Sequence, residues 1–138
     1  MYYIEDALKE LEELRRRSFN DLSFHVRMHV GGACLINGKG NDIDIFVKNF
    51  NGAVQYFESL GYTLDNAGYR NDPDDVNGFT SLRKDDVNII VCGIDRYKAA
   101  ERVLFFLQIC PFAVPDIINK EQRITLYEVF RGGNDVFW

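Results

Sequence analysis

The sequence predicts an α/β fold in one domain over residues 1–138, with a mixed sheet of four or five strands and helices packed mainly on one face. Three observations point there. Strand-length apolar runs alternate with stretches whose apolar residues recur at helical spacing. Clusters of Gly, Asn, Asp and Pro separate the two kinds of stretch. With 138 residues, 46% of them hydrophobic and 14% aromatic, the chain can bury one sizeable core.

Ile4, Ala7, Leu8, Leu11 and Leu14 recur with helical period, and Glu5 and Asp6 precede Arg15, Arg16 and Arg17, the charge order a helix dipole favours. The arginines read as a solvated helix end, with phosphate binding as the alternative, and a break at Ser18-Phe19-Asn20-Asp21 follows. Residues 24–30 alternate imperfectly, as an edge-like strand with His25, Arg27 and His29 on one face. Two histidines on such a strand suit a structural role better than metal ligation. A short helix over residues 33–36 follows Gly31-Gly32, and a Gly-rich return leads to a strand over 42–47. Asn49 or Asn51 caps a helix through Ala53, Val54, Phe57 and Leu60, stopped by Gly61.

After a strand at 62–65, residues 66–77 read as a loop; they lack the spacing and closing Glu of a calcium loop. Residues 79–84 and 87–92 form two strands joined by the tight turn Asp85-Asp86. The second is apolar apart from Asn88, which suits a central strand. Asp95 caps a largely buried helix through Ala99, Ala100, Val103, Leu104, Leu107 and Cys110, ended by Pro111. Asn119 and Gln122 resemble the capping box of a last helix that Gly132-Gly133 stops, with Lys120, Arg123 and Tyr127 along one stripe. The apolar tail Val136-Phe137-Trp138 either docks on the core or meets a second copy, giving a monomer or a weak homodimer.

Chemistry concentrates between residues 30 and 47. Asp42 and Asp44 are two positions apart in a strand, so they project to one side while Ile43, Ile45 and Val47 enter the core. Two close carboxylates repel unless a proton or a cation lies between them, and oxygen ligands of this kind suit Mg²⁺, or Mn²⁺, with phosphate oxygens and water completing the shell. Gly31, Gly32 and Ala33 supply backbone N–H groups that can approach a phosphate closely. Lys39 lies within reach of such a phosphate or is an exposed loop residue, and Lys120 and Arg123 bind a triphosphate if their stripe overlooks the cleft. Asn88 is either hydrogen-bonded for structure or faces the carboxylates.

A small apolar residue, Gly-Gly, about a dozen residues and then Asp-apolar-Asp-apolar, here Val30 to Ile45, resembles the signature of the DNA polymerase beta-like nucleotidyltransferase superfamily; the small size is similar to its minimal and phage-encoded members. The resemblance implies that Asp42 and Asp44 hold the metal ions carrying a nucleoside triphosphate and that the glycine turn cradles its phosphates. It also implies a third carboxylate on a neighbouring strand, where this chain has Asn88. The implied function is transfer of a nucleoside monophosphate to an acceptor, which is RNA, protein or a small molecule. Asn88 weakens that expectation, and the alternative is a catalytically inactive binding or regulatory module, inhibitor- or antitoxin-like, in phage–host conflict.

The remaining composition bounds these functions. A net charge of −5 gives no global basic field for bare nucleic acid. Cys34, Cys92 and Cys110 are odd in number and lie in apolar runs, as buried thiols of a reducing compartment do. The N-terminus turns charged at once and no apolar stretch reaches membrane-spanning length, so the expected location is the cytoplasm, a host's if the chain is phage-encoded.

Overall fold

The apolar runs at the centre of the chain form the middle of a five-stranded mixed sheet in the computed structural model, which describes residues 1–65, 72–109 and 118–137. The N-terminal half comprises β1 (Tyr2–Tyr3), α1 (Ile4–Leu22), β2 (Met28–Gly31), α2 (Gly32–Asn37), β3 (Lys39–Gly40), β4 (Ile43–Lys48) and α3 (Ala53–Ser59). The remainder comprises β5 (Thr63–Leu64), β6 (Phe79–Lys84), β7 (Val87–Cys92), α4 (Ile94–Ile109) and α5 (Lys120–Phe137). Strand order is β2-β4-β7-β6-β5, with β4 and β7 parallel and the other neighbours antiparallel.

Period-two alternation decides what each face does. Ile43, Ile45 and Val47 of β4 and Ile89 and Val91 of β7 point into the main core, where they meet Ala7, Leu11 and Leu14 of α1, Cys34 of α2 and Phe57 of α3. Phe57 is fully buried, and truncating such a ring costs about 3–5 kcal/mol. The opposite face carries the polar row of the candidate site and meets the last two helices. Tyr97 of α4 packs on His29, and Tyr127 of α5 packs on Phe46. Asn119 and Gln122 form the expected capping box, each side chain accepting the other's backbone N–H at 2.9 Å. No described helix is long and apolar enough to cross a membrane.

Several elements depart from expectation. Helix α1 passes through Ser18 to Leu22, because the buried Ser18 hydroxyl donates back to the Arg15 carbonyl instead of breaking the helix. It stops at Ser23, whose backbone is left-handed at φ 64°. The arginines are therefore not at the helix end. Arg15 donates to the Met28 carbonyl at 2.8 Å, and Arg17 lies near Asp21. Residues 23–27 are then needed for the return, and pairing with β4 starts only at Met28. His25, outside the strand, stacks on Phe19, while Arg27 pairs with Glu101 of α4 at 2.6 Å.

Neither Asn49 nor Asn51 caps α3. The N-cap is Gly52, and the Asn49 amide donates to the Pro73 carbonyl and the Asp74 carboxylate. Helix α5 runs through Gly132-Gly133 to Phe137, since glycine permits a helix stop without enforcing one, at about 1 kcal/mol relative to alanine. The short β1–β3 pair has no counterpart in the expected elements. Cys34 and Cys92 are buried free thiols. Residues 66–71 of the loop, Cys110, Pro111 to Pro115, Trp138 and the side chains of Val136 and Phe137 lie outside the described residues.

Candidate functional site

Register assembles the site before any side chain is considered. Gly31 of β2 lies opposite Asp44 of β4, Asp44 opposite Asn88 of β7, and Asn88 opposite Arg83 of β6. Laterally paired residues share a face, so Asp44, Asn88 and Arg83 stand in one row across neighbouring strands about 4.8 Å apart. Asp42, just before β4, reaches the same place. Asn88 is the hub: its Nδ2 donates to Asp44 Oδ1 at 2.9 Å and lies 3.5 Å from Asp42 Oδ2. Its Oδ1 accepts from Arg83 Nη1 at 3.2 Å, and Arg83 Nη2 lies 3.4 Å from Asp42 Oδ1.

The glycine turn is shaped by the same row. A Cβ on Gly31 would fall within the Phe46 ring, and one on Gly32, whose φ is +63°, would fall on the Asp44 carboxylate. Only glycine lets the carboxylate and the turn approach this closely. The Gly32 N–H is not free, however. It donates to the Tyr127 hydroxyl at 3.1 Å. Burial raises the Asp44 pKa, with Asn88, Arg123 and Arg83 opposing and Asp42 adding to the rise. The Tyr127 hydroxyl is likewise raised, chiefly by burial.

Facing the row is a cleft of about 620 Å³ whose lining includes Ala33, Asn37, Lys39, Asp42, Asp44, Asn88, Lys120 and Arg123. The far wall is the start of α5, held by an amide clamp: Asn37 Nδ2 donates to the Ile118 carbonyl at 3.0 Å and Asn37 Oδ1 accepts the Ile118 N–H at 3.1 Å. Arg123 Nη1 also donates to the Ile118 carbonyl. Of the residues singled out in sequence, Asp42, Asp44, Asn88, Ala33, Lys39, Lys120 and Arg123 line this cleft, and Gly31 and Gly32 form the turn behind it. His25 and His29 lie elsewhere.

Sequence reasoning passed over Arg83 and Asn37. Arg83 had a signal, because a two-residue turn at Asp85-Asp86 sets Lys84 opposite Val87 and hence Arg83 opposite Asn88. Asn37 had none, since its partner is 81 residues away. A second hollow of about 600 Å³, between the start of α3 and Asp72 to Asp74, is a poorer candidate, because the Asn49 amide there is spent on Pro73 and Asp74.

Asp42 and Asp44 converge on a single atom, Asn88 Nδ2, so a divalent ion that displaced this amide would take an oxygen from each, and these two carboxylates are the groups that would hold it. Among the described residues no group of three or more His, Cys, Asp or Glu side chains could hold a metal. A second ion would need charge that the neutral Asn88 does not provide, where Arg83 already stands.

No protein-family model matches the chain, and no curated protein does. Among solved structures, the conserved protein GrpB from Enterococcus faecalis is similar with a TM-score of 0.52 at 12% identity, over 93% of this chain and 94% of that one. At that identity the shared property is the fold.

Proposed function

We propose that the chain binds a Mg²⁺-bearing nucleoside triphosphate in the cleft over Asp42 and Asp44 and transfers its nucleoside monophosphate slowly to a nucleophilic group of an acceptor, the α–β phosphoanhydride bond breaking and pyrophosphate leaving. The observation that carries this reading is the convergence of both carboxylates on the Asn88 amide, behind a glycine turn and opposite Lys39, Lys120 and Arg123. Asp42 and Asp44 would hold the ion, or Mn²⁺ in its place, and the ion when bound neutralises phosphate charge. Lys39, Lys120 and Arg123 supply the further positive charge a triphosphate needs. The GrpB-like fold is compatible with this reading.

A second reading, a catalytically inactive nucleotide-binding or regulatory module, is favoured by Asn88 and Arg83 together. One removes a charge from the row and the other brings a competing cation to it. Both readings expect millimolar Mg²⁺ with a nucleoside triphosphate to raise the melting temperature, and Asp44→Ala to abolish that rise. No rise in the wild type would refute both. Transfer of label from α-labelled triphosphates separates them. Detectable transfer, faster in Asn88→Asp at similar nucleotide affinity, supports the slow enzyme; a folded Asn88→Asp protein that transfers nothing supports the module.

A further inference from the structure

Arg83 is held at the end of the polar row by its own hairpin. Its Nε donates to the Asp85 carbonyl at 3.0 Å, Nη1 donates to Asn88 at 3.2 Å, and Nη2 lies 3.4 Å from Asp42 and 3.8 Å from Asp86. The β6–β7 register directs it there, so its place is a property of the strands and not of a wandering surface side chain. A guanidinium carries one positive charge on a planar fork of donors. Asn88, which takes one arm of the fork, is neutral. The row therefore carries a monovalent cation beside one of the two carboxylates that a divalent ion would use.

The geometry points to Arg83 as a residue that sets the metal stoichiometry and order of binding: a built-in counter-ion that confines the carboxylate pair to one divalent ion and keeps that ion weakly held until a nucleotide brings it. This rests on the metal–nucleotide reading above. Two effects act together. Arg83 neutralises part of the charge that would attract a bare ion, and it repels any cation approaching Asp42 Oδ1. A polyphosphate removes the conflict, because its oxygens are ligands for the ion and acceptors for the guanidinium at once. Asp42 and Arg83 are 39% and 40% exposed, so solvent tempers the effect without removing it.

The test is Mn²⁺ binding followed by electron paramagnetic resonance without nucleotide, in wild type, Arg83→Gln and Arg83→Lys. Circular dichroism melts confirm folding. Arg83→Gln is expected to bind Mn²⁺ roughly tenfold more tightly, with Arg83→Lys close to wild type because the charge is kept. Asp44→Ala added to Arg83→Gln should erase the gain. Equal Mn²⁺ affinity in wild type and Arg83→Gln overturns the role of Arg83, and so does a gain that survives Asp44→Ala. With nucleotide present, wild type should hold one Mn²⁺; two tightly held ions overturn the inference even if Arg83→Gln does not fold. The parallel melting assay with Mg²⁺ and nucleoside triphosphate separates the two levels. A wild type stabilised by that mixture, with Arg83→Gln no tighter for Mn²⁺, removes the role of Arg83 and leaves the binding reading standing. Proteins that take up neither Mn²⁺ nor nucleotide end both.

Discussion

Tyr127 spends its hydroxyl on a backbone amide in the turn that the proposed phosphates would occupy. The Gly32 N–H to Tyr127 bond is 3.1 Å long and joins residues 95 apart, with the Tyr127 ring resting on Phe46. Leaving this part-buried amide without a partner costs about 1–2 kcal/mol. Tyr127→Phe keeps the ring packing and removes that partner, so the variant should unfold at lower urea concentration. The same change frees the amide for a phosphate oxygen, so Mg²⁺–nucleotide affinity should rise. Calorimetric titration beside urea melts checks both, and a variant as stable as wild type with unaltered affinity would show that the bond does neither job.

Helix and hairpin ends decide which residues reach the site. Helix α1 ends at Ser23 with φ 64°, and the Ser23 N–H donates to the Phe19 carbonyl at 2.9 Å. A left-handed residue with a Cβ is strained where glycine is not, so Ser23→Gly should stabilise the protein by about 0.5–1 kcal/mol, read as a higher urea midpoint at unchanged slope. A lower midpoint would mean that the Ser23 side chain contributes something its exposed position does not suggest. The β6–β7 hairpin is the other decisive end. Its two-residue turn makes Arg83 and Asn88 lateral partners, whereas a turn longer by one residue would send one of them to the other face.

At the scale of the whole molecule, His29 joins the sheet to the α4 layer, and its ionisation ties stability to pH. The ring lies between Phe46 and Tyr97, with Nδ1 3.0 Å from the Val30 carbonyl and Nε2 buried without a partner among the described residues. Burial lowers its pKa below the ordinary 6.5; the Val30 carbonyl and Glu101 oppose that shift, and Arg15 adds to it. Below pH 6.5 the unfolded chain therefore binds the proton more readily than the folded one, so this stabilising contribution is present above that value and is lost as pH falls through it toward the folded pKa. Replacing His29 by Phe removes the titration while retaining an aromatic ring. The drop in melting temperature between pH 7.5 and 5.5 should be smaller in His29→Phe than in wild type, and equal drops would assign the acid sensitivity to other groups.

Much of this organisation is legible in the chain. The alternation Ile43, Asp44, Ile45 placed the carboxylates on the face away from the core, and the apolar run around Asn88 placed that residue on a central strand, because a pleated strand has period two wherever it lies. The Asn119–Gln122 cap was legible for the same reason, since both partners lie within one helical turn. Local punctuation misled at Ser18 and at Gly132-Gly133, where a helix continues through residues that merely permit an end. Only the tertiary structure decided that Tyr127 meets Gly32, that Asn37 clamps Ile118 and that Arg83 stands beside Asp42, because periodicity carries the direction of a side chain but not the identity of a partner brought to it by the folding of distant segments.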